Sequence, residues 1–150
     1  MPNDLTPARL RELMTSAPLS VSEPIKLKLT VIGAPRTKKT GQRIVKVGKF
    51  SKILPSKAYL DWEKSALVEL APHIGRLRHL LPLAFEMSCQ ASIYRDAERG
   101  DACNYYQAIA DMLQKAGIIA NDVLIRHWDG SRLLKDAAQP RIVLILQEIR

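Results

Sequence analysis

Cysteine is scarce in this chain: Cys89 and Cys103 are the only two in 150 residues. They have no C-x-x-C spacing and no histidine close by, which argues against a zinc site. Their number allows one disulfide, but without a secretory signal two free thiols are expected. Long apolar runs are missing as well, and no stretch approaches the ~20 residues of a membrane-spanning helix. The opening MPNDLTPARLRELM lacks the apolar segment of a signal peptide. A cytoplasmic location with no membrane partner is therefore expected. Internal repeats and low-complexity tracts are absent.

Negative charge is missing from one long window. From Lys26 to Lys57 there is no Asp or Glu, while ten bases stand there: Lys26, Lys28, Arg36, Lys38, Lys39, Arg43, Lys46, Lys49, Lys52 and Lys57. The whole chain carries +8, yet outside this window acids slightly outnumber bases. Such a local field attracts polyanions and speeds their encounter. A lysine-rich solvated strand would give the same composition, and so would a lipid-facing surface, although no basic amphipathic helix lies here. The completeness of the bias over the window favours nucleic acid. Arg36, Lys38 and Lys39, presented on the loop GAPRTKKTG, are the first candidates for phosphate contact. Arg43 and Lys46 extend that set, and Arg99 adds a base just before the acidic region.

The remaining composition suits one α+β domain of ordinary core content. Thr6-Pro7 begins a short helix to about Met14, and residues 15–24 form a linker, so residues 1–24 are an arm attached to a domain at 25–150. Ile25, Leu27, Leu29 and Val31 alternate with Lys26, Lys28 and Thr30, a half-buried strand with a basic outer face. Arg43–Val47 and Phe50–Ile53 flank Gly48 as a hairpin. Ser56 caps a helix to about Leu70, ended by Pro72, whose apolar side is Tyr59, Trp62, Ala66, Leu67 and Leu70. Leu83 to Ile93 alternate as a second long strand with Cys89 facing inward. A helix from about Ala102 to Ala116 stops at Gly117 and buries Tyr105, Ile109, Met112, Leu113 and Ala116. Strands at Val123–Arg126 and Arg141–Ile149 close the order. The pattern implies a small, mixed, mostly antiparallel sheet with helices packed on one face.

Residues 94–122 hold the candidate chemistry. Asp101 opens the second helix, Asn104, Gln107 and Asp111 lie along its polar side, and Asp122 follows the turn after it. Two or three carboxylates can hold Mg²⁺ while leaving room for water and phosphate oxygens. The ion would position a water and neutralise charge on a scissile phosphate. On spacing alone the structural roles are preferred: Asp101 as an N-cap, Asp122 as a turn residue, and Asp111 paired with Lys115 at i,i+4. Asn104 either serves the site or satisfies a neighbouring backbone group. His127 and Asp129 are expected at a strand end and a turn, with Trp128 packed and Tyr106 at a dimer seam.

The stretch RGDACNYYQAIADMLQKAGIIANDVLI resembles the signature region of the RusA family of Holliday-junction resolvases. That family shows D-x-D-N, a helix, K-A-G and a final Asp after the turn. Asp101, Asn104, Lys115-Ala116-Gly117 and Asp122 match it, and Asp111 falls on a helix Asp. GAPRTKKTGQRIV, PSKAYLDWEKSAL, HWDGSR and QPRIVLIL extend the likeness more loosely to about residues 25–149, as in phage-type members. The resemblance implies a RusA-like α+β fold and a homodimer that makes paired, metal-dependent nicks in branched DNA during recombination, repair or phage DNA processing. It carries Asp101 and Asp122 over as ligands of Mg²⁺, with Mn²⁺ as the alternative. Two positions depart from it. Cys103 stands where the second Asp belongs, and Gln107 where the family has a functional lysine. A thiol is a poor ligand for a hard cation. Two rival expectations follow: a catalytically weak binder of branched DNA, and a general nucleic-acid-binding accessory protein.

Overall fold

The structure, a computed structural model, describes residues 23–150. The helix expected at 6–14 and most of the expected linker lie outside the described residues.

Strand β1 (Lys26–Ile32) buries Leu27, Leu29 and Val31 and turns its lysines outward, as period-two alternation requires. The hairpin β2 (Arg43–Val47) and β3 (Phe50–Leu54) follows, and then helix α1 (Lys57–Leu77). Strand β4 (Met87–Arg95) leads into helix α2 (Ala102–Lys115), and a 3-10 turn at Asp122–Leu124 leads into β5 (Ile125–His127). Strands β6 (Arg132–Lys135) and β7 (Arg141–Glu148) complete the chain.

The main sheet runs β1-β7-β4-β5, with β6 also paired to β4. β7 is antiparallel to both β1 and β4, whereas β5 and β6 are parallel to β4. Register places Leu29, Leu144 and Ala91 in one row, with Val31, Ile142 and Ile93 in the next. Those rows form the inner face of the core, closed by Tyr59, Trp62, Ala66 and Leu70 of α1 and by Tyr105, Ile109, Met112 and Leu113 of α2. The expected α+β class, with a mixed, mostly antiparallel sheet and helices against it, is the one observed.

Three boundaries and one strand differ from the sequence expectation. Helix α1 runs on past Pro72 to Leu77. The proline faces solvent, and the carbonyl it leaves without a partner belongs to exposed Val68, where water can bond it. The second long strand begins at Met87 rather than Leu83, and Leu83 instead makes an isolated parallel bridge to Ile119. The segment after Asp122 starts as a 3-10 turn, so its strand begins only at Ile125. Strand β6 was not expected at all. Its four residues are too few to display a period.

Candidate functional site

Asp101 caps α2. Its Oδ1 accepts from the Asn104 amide at 2.9 Å, and its Oδ2 accepts from Asn104 Nδ2 at 3.0 Å. Asn104 therefore orients the capping carboxylate, and both oxygens of Asp101 have partners on the helix they begin. Asp111 lies ten residues further on, about 15 Å along the axis at 1.5 Å per residue. Asp101 and Asp111 cannot serve one ion.

Asp111 does not pair with Lys115, contrary to the i,i+4 expectation. Lys38, brought in by the loop after β1, binds it at 2.6 Å, and Gln107 Nε2 donates to it at 3.2 Å. Lys115 is drawn instead to Glu63 of α1, which is buried and also accepts from the Tyr59 hydroxyl at 2.6 Å. The physical reason is the burial of Glu63. A buried carboxylate without a counter-ion costs more than an exposed helix pair returns. Lys38 also sits 5.7 Å from the centre of the Tyr59 ring. Burial, the hydrogen bond to Glu63 and the charges of Glu63 and Asp111 all push the Tyr59 phenol up, so it stays a protonated donor. Sequence reasoning missed Glu63, although the signal was present: an acid four residues after Tyr59, on the apolar stripe of α1.

Asp122 is placed differently from the other acids. Asn121 takes the turn role, its side chain accepting from the Val123 amide at 3.1 Å. The Asp122 amide donates to Gln114 Oε1 at 3.0 Å. Its carboxylate has no hydrogen bond or ion pair among the described residues. Two clefts meet at this residue. The first, about 370 Å³, is lined by Cys103, Tyr106, Gln107, Asp122 and Trp128, among others. The second, about 430 Å³, is lined by Lys38, Asp111, Gln114, Lys115 and Asp122. Tyr106 and Trp128 stack at 4.6 Å with nearly parallel rings and wall the first cleft, so Tyr106 packs within the chain. A smaller cleft, about 180 Å³, brings Lys38 and Lys39 beside Asn104 and Gln107. Among the described residues no three His, Cys, Asp or Glu side chains gather as a metal-holding group.

The bases divide into two kinds. Arg36 makes a two-pronged contact with Asp96 at 2.9 and 3.2 Å, and Arg99 reaches the same carboxylate at 3.2 Å. The Arg36 hydrogen bond first, then the charges of Arg36 and Arg99, hold the Asp96 carboxyl below its ordinary value. Arg36 thus pins the loop after β1 to the end of β4, and Arg99 holds the same carboxylate from within the loop that follows β4. Lys39, Arg43 and Lys46 are exposed. His127 and Asp129 meet at 3.5 Å in the exposed turn. Cys89 is buried, which pushes its thiol up to about 12, while Cys103 is exposed, and both are free.

No family model matches the chain, and no curated protein matches it. Among the described residues no helix is long and apolar enough to cross a membrane.

Proposed function

We propose that the protein is a metal-dependent endonuclease that binds and nicks branched DNA as a homodimer. The reading rests on the sequence resemblance, and one observation carries it into three dimensions. Cys103, Gln107 and Asp122 line a single cleft. These are the positions at which the resemblance expects a carboxylate, a lysine and the final carboxylate. Two-fold symmetry suits a junction with two equivalent cut sites.

The donor set fits a weakly held hard ion. Mg²⁺ commonly uses one or two carboxylates and completes its shell with water and substrate phosphate. Asp122 would hold it, with Asp111 across the second cleft, and Mn²⁺ could replace it. Asp101, the other ligand that the resemblance implies, is taken up by its cap and lies too far along α2 to share an ion with Asp111. When bound, such an ion would supply positive charge for a scissile phosphate and would make a water more acidic. The chain's own residues do the rest. Lys38 and Lys115 line the second cleft, where Lys38 holds Asp111 and Lys115 holds Glu63. Gln107 holds Asp111 in place by its amide. The stacked Tyr106 and Trp128 give the first cleft a rigid wall.

A four-way junction assay with Mg²⁺ or Mn²⁺, run beside binding in EDTA, tests the reading. Asp122→Asn is expected to abolish nicking while binding stays intact or tightens, since a ligand is lost together with a charge that repels phosphate. Full nicking by that variant would remove Asp122 from the site. A second reading, binding without efficient nicking, is favoured by the thiol of Cys103 in the cleft. It predicts that Cys103→Asp raises nicking with Mg²⁺. Equal binding to linear duplex, or tighter binding to RNA, would instead make the chain a general nucleic-acid accessory protein.

A further inference from the structure

The β2–β3 hairpin pairs with no other described strand. Its cross-strand partners are Arg43 with Leu54, Ile44 with Ile53, Val45 with Lys52, Lys46 with Ser51 and Val47 with Phe50. Partners directly opposite share a face. One face therefore carries Arg43, Val45, Val47, Phe50, Lys52 and Leu54, and the other carries Ile44, Lys46, Ser51 and Ile53. Gly48 opens the two-residue turn at φ 63°, a conformation glycine adopts freely. Ile44 is 75% exposed, Ile53 64% and Phe50 81%. These side chains add nothing to the core, and a lone two-stranded hairpin is at best marginal in water. Folding does not account for large apolar groups at such positions.

Charge selects the occupant. Arg43, Lys46, Lys49 and Lys52 stand in or beside the strands without a single acid among them. A second copy of the hairpin would bring like charges face to face, which opposes contact. A polyanion is complementary along the whole ribbon. The major groove of duplex DNA admits a two-stranded β-ribbon. Apolar side chains of DNA-bending proteins wedge between base steps where stacking is weakened. A branch point offers base faces already partly released from stacking.

We infer that the β2–β3 hairpin is a DNA-contacting arm: its four bases follow the phosphate backbone, and its tip pair, Val47 and Phe50, packs on base faces at the branch. The inference rests on the branched-DNA reading above, but its test needs no nicking. The full chain is titrated in EDTA with a four-way junction and with linear duplex, and 2-aminopurine placed at the branch reports unstacking. Phe50→Ala is expected to weaken junction binding roughly 5- to 150-fold, the range for loss of one base–aromatic stack, and to leave duplex binding nearly unchanged. It should also abolish the 2-aminopurine signal, and Phe50→Trp should restore both. The combined variant Arg43→Gln, Lys46→Gln, Lys49→Gln and Lys52→Gln is expected to weaken both ligands. It should also flatten the slope of log K against log[salt] by about 0.9 for each phosphate that is no longer neutralised.

An unchanged salt slope and affinity in the combined variant would overturn the assignment. So would a Phe50→Ala variant that binds DNA normally but loses self-association in sedimentation, because the tip would then be a contact between copies. Binding to phosphatidylserine vesicles that falls in the combined variant while DNA binding stays intact would also overturn it, in favour of a lipid surface. If the arm behaves as expected and the chain nicks nothing with either metal, the nuclease reading fails and the arm stands.

Discussion

The β4–α2 half and the β2–β3 hairpin use similar residue types to opposite ends. In β4 the alternating Met87, Cys89, Ala91 and Ile93 are all buried, and the polar residues between them face out. In the hairpin apolar residues fall on both faces, and Ile44, Val47, Phe50 and Ile53 remain in solvent. Apolar pattern alone marks a strand, and only the neighbours decide whether the pattern builds a core. In β4 those neighbours are β7 and two helices. The hairpin has only itself. Side chains in the first region are held there by packing. In the second they are free to meet something else.

The sharpest way to break this contrast is to truncate one large apolar side chain in each region. Leu144→Ala, in the row shared by β1, β7 and β4, is expected to cost about 2–5 kcal/mol by denaturant unfolding, because the surrounding strands cannot collapse into the space. Phe50→Ala is expected to stay within about 0.5 kcal/mol. A comparable loss from Phe50→Ala would mean that the hairpin folds against the domain.

A smaller effect is expected at the ion pair beneath the second cleft. Lys115→Met leaves Glu63 buried with only the Tyr59 hydroxyl, and should cost about 1.5 kcal/mol in chemical unfolding. Unchanged stability would mean that solvent reaches Glu63. Next in size, Asp101→Ala should lose about 1 kcal/mol with the N-cap, while Asp101→Asn keeps an accepting oxygen and most of the stability. Comparing the two in the nicking assay separates capping from ion binding. If Asp101→Asn is stable but inactive, the carboxylate charge itself is used.

The smallest expected effect concerns pH. The hydrogen bond and charge of Arg36, with Arg99, lower the folded-state value of Asp96 below its ordinary value of about 3.9. A lowered carboxyl stabilises the fold at every pH above that ordinary value. The contribution disappears as pH falls from there through the folded-state value. For so open a pair it should amount to about 0.5 kcal/mol. Asp96→Asn should therefore lower Tm slightly at pH 7 and match the wild type in strong acid. A difference that persists at pH 2 would point to packing rather than charge.

Elements with a clean period, β1 and the buried face of α2, were legible from the sequence, as were β7 and, from two short segments flanking Gly48, the hairpin. The cap at Asp101 was legible too, since an acid before a periodic helix needs no distant partner. What escaped was set by residues far apart in the chain. Lys38 reaches Asp111 across 73 positions and Lys115 reaches Glu63 across 52, and no local spacing encodes either pairing. Pro72 misled because a helix break is prevented by the side of the helix the proline occupies, which only the fold defines. The convergence of Cys103 with Asp122 depended on the turn at residues 116–122 and was carried by resemblance rather than by spacing.

The position of β7 has a consequence for how the chain is made. It is the last described strand in chain order, yet it lies between β1 and β4. During synthesis β1 emerges first and waits for almost the entire domain before its sole partner in the main sheet exists. Until then Leu27, Leu29 and Val31 have no inner row to join. Pairings so distant in sequence slow folding, because a long loop must close before the contact returns anything. The nascent chain therefore presents a sticky, lysine-bearing edge for most of its elongation, and the lysines that later face outward on β1 keep that edge from recruiting other strands.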